Sequence, residues 1–205
     1  MQDALVFYDA RTKRRFSSRD WRLEPKLSDE GRVRYFAVSE TPSGSEAWRA
    51  VAADLARELH PAAPGAGPGP LQGAAFLGLG VHSLPALIER VEAGLPYGMF
   101  EKLAALLGLP AGELARVLRI APRTLARRKK AGALAAEESE RVLRLARVAY
   151  AALALFEGER DPAVAWMKRP SRALGGVSPL AMAATGIGGE AALALVGRLE
   201  HGVFG

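Results

Sequence analysis

Seven basic side chains, Arg116, Arg119, Arg123, Arg127, Arg128, Lys129 and Lys130, crowd into the stretch from Gly112 to Lys130 against a single acid, Glu113. The surplus in that window equals the formal net charge of the whole chain, +6, so the remainder sums to zero. Even basicity would serve solubility, whereas a local surplus on a short helical stretch answers a polyanion. The chemistry on offer is charge-assisted bonding to phosphate oxygens and bidentate reading of guanine edges by arginine.

Groups suited to covalent or acid–base chemistry are sparse by comparison. The three histidines, His60, His82 and His201, have no metal-ligand spacing to one another or to a carboxylate. There is no cysteine, which excludes disulfides, zinc-thiolate sites and thiol catalysis. Gly186-Ile187-Gly188-Gly189 precedes a helical pattern, but no strand leads into it and no lysine follows, so it does not make a phosphate loop. Carboxylates lie on helix faces near Lys or Arg, as solvated charges do. The expectation is a non-enzymatic protein without cofactor or metal.

Two short helices crossing at a tight turn would present the basic window. Leu114 and Leu118 are one turn apart, and Ala115 is small enough for a second helix to pass over it. Ile120 plugs the turn, Leu125 anchors the second helix, and Pro122 suits a first helical position. This spacing reads as a helix-turn-helix. Arg123, Arg127 and Lys130 then share one face, with Thr124 and Arg128 beside them and Lys129 adjoining, and that face suits a major groove. Two positions depart from the usual pattern. Arg119 stands where a glycine commonly takes a positive φ, at a cost of roughly 1–2 kcal/mol, and Ala121 cannot cap the second helix, worth about 1 kcal/mol. Arg119 is then free to reach phosphate. The rival reading of the same residues is a solvated basic helix in an ordinary bundle.

The expected fold is mainly α. Helical patterns run over Leu84–Ala93, Tyr97–Leu107, Ala111–Leu118 and Pro122–Ala131, then along a helix from Ala136 to Glu157 stopped by Gly158. Val142, Leu145, Val148, Ala149, Ala152, Leu155 and Phe156 form one apolar stripe on it, either an intramolecular core or a dimer seam. Shorter candidates follow at Pro162–Met167, Pro179–Ala184 and Glu190–His201, separated by Gly- and Pro-rich turns. Upstream, residues 61–75 have a Pro/Gly/Ala linker composition. Residues 1–60 form an extension of unknown role, α/β or partly ordered, with strand-like runs at Ala4–Tyr8 and Arg32–Ser39 and a helix-like segment from Glu46 to Leu59 after Ser45. The division expected is therefore 1–60, 61–75, a DNA-binding domain over 76–135 and a C-terminal domain over 136–205. No secretory signal is read in residues 1–25, and the longest apolar run, Val148–Phe156, is far short of the ~20 residues of a membrane span. A cytoplasmic protein is expected.

Particular segments resemble a known family. Glu113-Leu114-Ala115-Arg116-Val117-Leu118, Arg123 to Lys129 and Glu137-Glu138-Ser139-Glu140-Arg141 are similar to antitoxins of the Xre/MbcA/ParS type. So is the tail: Trp166-Met167, Pro170, Ala173-Leu174-Gly175-Gly176, Ser178-Pro179-Leu180 and Gly197 to Phe204. The resemblance covers about the last 105 to 125 residues and leaves residues 1–70 outside it, as an extension or an early start. It implies an Xre-like helix-turn-helix and a toxin-binding C-terminal domain. It also implies a cognate toxin of RES-type fold, NAD-consuming or ADP-ribosylating, whose active site the tail covers, and repression of the shared operon by a dimer on operator DNA. Trp166, Pro170, Leu174, Gly175, Gly176, Pro179, Leu180, Arg198, Glu200, His201, Gly202, Val203 and Phe204 are the toxin-binding residues so implied.

The residues themselves leave rivals open. A stand-alone helix-turn-helix regulator would use the tail for oligomerisation or a small ligand. A scaffold would turn its basic helix to an acidic partner.

Overall fold

Strand pairing rather than helical period governs the start of the chain. In a computed structural model, residues 4–27, 33–51, 69–81 and 83–200 are described, and the chain divides into two units, residues 1–61 and 62–205. The first carries β1 (Leu5–Asp9) and β2 (Arg14–Ser18) as one antiparallel hairpin. An antiparallel meander of β3 (Arg22–Leu27), β4 (Val33–Glu40) and β5 (Glu46–Val51) follows. Phe7, Trp21, Ala37 and Ala47 close a small core, with Leu5, Phe16 and Val51 against it. Asp9 is buried and shapes the β1–β2 turn, its Oδ1 accepting from the Arg11 and Thr12 amides at 2.9 and 3.2 Å.

One expectation changes here. The Glu46–Leu59 helix is replaced over Glu46–Val51 by β5, whose pairing with β4 (Trp48 opposite Val38) overrides its helical period. Ser45 closes the β4–β5 turn, its amide donating to Thr41 Oγ1, rather than capping a helix. Residues 52–59 lie outside those described. The regular elements in the described part of the extension are strands, and any helical part of the α/β expectation lies outside the described residues. Pro25 is tolerated because β3 is an edge strand.

In the second unit, Pro70–Ala75, assigned to the linker by composition, lies in a helix, α1 (Pro70–Phe76). Gly73 lets α1 lie against the long helix: a Cβ there would sit 2.6 Å from Arg147 Cγ. Then follow α2 (Leu84–Ala93), α3 (Tyr97–Leu107), α4 (Ala111–Val117), α5 (Pro122–Ala131) and α6 (Ala136–Leu155). The tail gives α7 (Arg160–Lys168), a 3-10 turn (Arg172–Leu174), α8 (Pro179–Met182) and α9 (Gly186–Glu200). The mainly α architecture expected from sequence is therefore the one observed.

Helix α6 is the post of this unit, with α1, α2, α3, α7 and α9 packed around it. Val142, Leu145, Val148, Ala149 and Ala152 are at most 1% exposed, and Leu155 and Phe156 are half-buried. Each fully buried Val or Leu contributes roughly 1.5–3 kcal/mol, and here that apolar stripe is spent within the chain. Tyr150 meets Phe76 edge-on, with ring centroids 5.8 Å apart, tying α1 to the middle of the post. No described helix is long and apolar enough to cross a membrane.

Candidate nucleic-acid interface and C-terminal surface

The crossing of α4 and α5 follows the spacing of its apolar residues. Leu114 and Leu118 are fully buried, Ala115 and Ile120 nearly so, and Leu125 is half-buried. Arg119 keeps the left-handed turn without a glycine, at φ +54. Its amide donates to the Arg116 carbonyl at 3.1 Å, and the Ile120 amide to that of Ala115 at 2.8 Å. From α6, Arg141 Nη1 donates to the Leu118 and Arg119 carbonyl oxygens at 3.1 and 3.3 Å, while its Nη2 reaches Glu137. The strained turn is thus clamped from outside, and sequence reading had no signal for Arg141 in this role.

Helix α5 buries none of its side chains. It starts without a side-chain cap at Ala121, as the sequence requires, and ends at Gly132 in the left-handed region. Arg123, Arg127 and Lys130 project into solvent on one face; Thr124, Leu125 and Arg128 form the half-buried side. Arg128 therefore does more than supply charge. Its Nε donates to Glu138 Oε2 at 2.7 Å, and the same oxygen accepts the Ala135 amide at 2.8 Å. Lys129 makes a longer pair with Glu101, 3.6 Å, between two exposed side chains and so of small energetic weight.

Backbone bonds complete the mounting. The Tyr97 amide donates to the Gly132 carbonyl and the Leu134 amide to that of Leu95, while the Leu95 amide donates to Ser139 Oγ at 2.9 Å. At Gly94, φ +94, a Cβ would lie 2.2 Å from the Leu134 carbonyl oxygen, so only glycine permits this approach. The result is a rigidly held helix whose outer face is cationic. Its basic last turn also sits at the negative end of the helix dipole.

The tail residues separate into two groups. Leu174, Pro179 and Leu180 are buried in the chain's own core, so their part is to shape the surface rather than to offer apolar area. Trp166 is half-buried against Phe156, with ring centroids 6.4 Å apart. Pro170, Gly175, Gly176, Arg198 and Glu200 are exposed. The loop from Ser171 to Val177 is closed by a bridge between those two residues, and Gly175 and Gly176 take φ +66 and +82 at its tip. His201, Gly202, Val203 and Phe204 lie outside the described residues, as do His60 and His82.

Sequence reading missed the start of α9. Gly186–Gly189 was expected to be a turn, with the helix beginning at Glu190; instead those glycines form its first turn. Thr185 Oγ1 accepts the Gly188 amide at 3.0 Å, an N-cap signal masked by three low-propensity glycines. Gly188 is needed because a Cβ there would sit 2.1 Å from the Met182 carbonyl oxygen, and Gly189 because one would meet Arg144 at 2.8 Å. This packing leaves Ile187 88% exposed, and Val177 is exposed too. Among the described residues no His/Cys/Asp/Glu group suited to a metal ion occurs.

Residues 86–147 match the antitoxin Xre-like helix-turn-helix domain, and residues 151–202 the antitoxin Xre/MbcA/ParS C-terminal toxin-binding domain. The chain is 35% identical over 129 residues to "Antitoxin Xre" of Yersinia enterocolitica, covering 62% of this chain and 87% of that protein. The chain belongs to the Xre antitoxin family. "Antitoxin Xre" of Photorhabdus laumondii is 37% identical over 128 residues, 62% of this chain and 86% of its own. In this Xre antitoxin the two matched regions meet inside α6, so the helix-turn-helix and the toxin-binding domain share one hydrophobic post.

Proposed function

We propose that this chain neutralises a cognate RES-type toxin, one that consumes NAD or uses it for ADP-ribosylation, by covering the toxin's active site with its C-terminal domain. Helix α5 represses the operon the two share, through Arg123, Arg127 and Lys130 on its outer face and Arg119 at the turn. The carrying observation is the pairing, in one unit, of a helix that buries nothing and shows three cations on its outer face with a toxin-binding domain that leaves Ile187 and Val177 in solvent. Large apolar side chains held in water on a rigid frame are what a protein partner desolvates.

Operator DNA is engaged as a dimer, with two recognition helices one duplex turn apart, about 34 Å. Leu84 and Ile88, about half exposed and one turn apart on α2, supply apolar area for a second copy. The protein acts in the cytoplasm without catalysis or cofactor.

The test is the protein encoded beside this one. If it is lethal when expressed alone, harmless with this chain and co-purifies with it, the reading stands. A harmless neighbour that does not bind leaves only a helix-turn-helix regulator.

A further inference from the structure

The matched domains begin at residue 86, so the first unit lies outside both. From Ala10 to Arg19 that unit carries Arg11, Lys13, Arg14, Arg15 and Arg19 and no acid. All five are exposed. Asp9, the acid just before them, is buried with its Oδ1 turned to the Arg11 and Thr12 amides.

Beside this basic hairpin lies a groove of about 330 Å³ lined by Val6, Phe7, Tyr8, Arg15, Trp48 and Arg49. Tyr8 is 55% exposed and stands opposite Arg15 in the β1–β2 register. Trp48 is 38% exposed, on β5, its indole edge-to-face with Phe36. Arg49 crosses to β1, where its Nη1 donates to the Val6 carbonyl at 3.2 Å.

We propose that this face binds single-stranded nucleic acid, bases stacking on Tyr8 and Trp48 while the phosphates run along Arg15, Arg49 and the hairpin cations. The argument is complementarity. Exposed aromatic side chains and arginines from the β1–β2 hairpin and from β5 line one groove, which offers bases a π-surface and phosphates a cation, whereas a duplex hides its base faces.

The experiment uses the full chain in an Arg123→Ala, Arg127→Ala, Lys130→Ala background, so that the outer face of α5 carries no cation. Anisotropy of a fluorescein-labelled 20-nucleotide oligothymidylate is read against a duplex of the same length. The proposal expects binding of the single strand in preference to the duplex, weakened about tenfold by Tyr8→Ala, weakened likewise by Trp48→Leu and restored by Tyr8→Phe. Arg15→Ala lowers the salt dependence of that binding. Equal affinity for the duplex, indifference to Tyr8→Ala and Trp48→Leu, or no binding of the single strand at all would each overturn it. Because the outer face of α5 has lost its cations in this background, none of these outcomes bears on operator binding.

Discussion

Arg128 and Glu138 meet at 2.7 Å and join the recognition helix to the first turn of α6, the helix that also carries the toxin-binding domain. The Glu138 carboxylate is only 10% exposed and also holds the Ala135 amide, so one side chain fixes both the angle of α5 and the start of the post. Arg128→Ala removes a charge-assisted bond from a partly buried acceptor. It should lower unfolding stability by about 1–2 kcal/mol in urea denaturation and weaken operator binding together with it. A loss of binding at unchanged stability would mean that Arg128 acts on DNA alone.

Arg127 and Lys130 have the opposite profile. Both are exposed on α5. Replacing both by alanine should change stability by no more than about 0.5 kcal/mol. Operator affinity should fall, with the slope of log K against log salt dropping by up to about 0.9 for each phosphate no longer neutralised. Isothermal titration at three salt concentrations reads the slope directly.

The turn at Arg119 stores strain that Arg141 helps to hold. Arg119→Gly should raise the melting midpoint in urea, by the equivalent of about 1 kcal/mol, because glycine takes φ +54 freely. Arg141→Ala should lower it, and by less when Arg119→Gly is already present. Additive effects would show that the two carbonyl bonds do not support the turn.

The first unit should be acid-sensitive at Asp9. Burial works to raise its carboxyl, but hydrogen bonds from Ser43, Thr12 and Arg11 outweigh it and leave the pKa below the ordinary 3.8. Because the folded pKa is depressed, the stabilisation is fully present above pH 3.8 and is lost as pH falls through the folded value. Hydrogen exchange at the Arg11 and Thr12 amides should therefore accelerate below pH 3.8 in the native chain, and Asp9→Asn should flatten that dependence.

Legibility from sequence followed the physics of each region. Helices α2, α3 and α5 end where Gly94, Gly108 and Gly132 end them, because positive-φ glycines stop helices whatever their neighbours do. The outer face of α5 was readable from charge and period alone. Strands β2 and β3 were not: RRFSS and RLEPKL have little alternation, and pairing with neighbours makes them strands. The same holds for α1 and the start of α9, where Gly73, Gly188 and Gly189 look like breakers but exist for close packing on α6 and the Met182 carbonyl. Nor could spacing reveal that Leu174, Pro179 and Leu180 face inward while Ile187 faces solvent. That division depends on which elements α6 gathers around itself.

The neutralising role proposed for the tail is tested most directly by co-expressing the neighbouring protein, once shown to be lethal alone, with a chain that ends at Gly197. Removing Arg198 to Gly205 takes away an exposed arginine and the terminal segment while leaving the α4–α5 crossing in place. The prediction is that cells are rescued by the full chain and die with the truncated one, even though the truncated protein still shifts operator DNA. Rescue by the truncated chain would contradict the claim that this terminal segment seals the toxin.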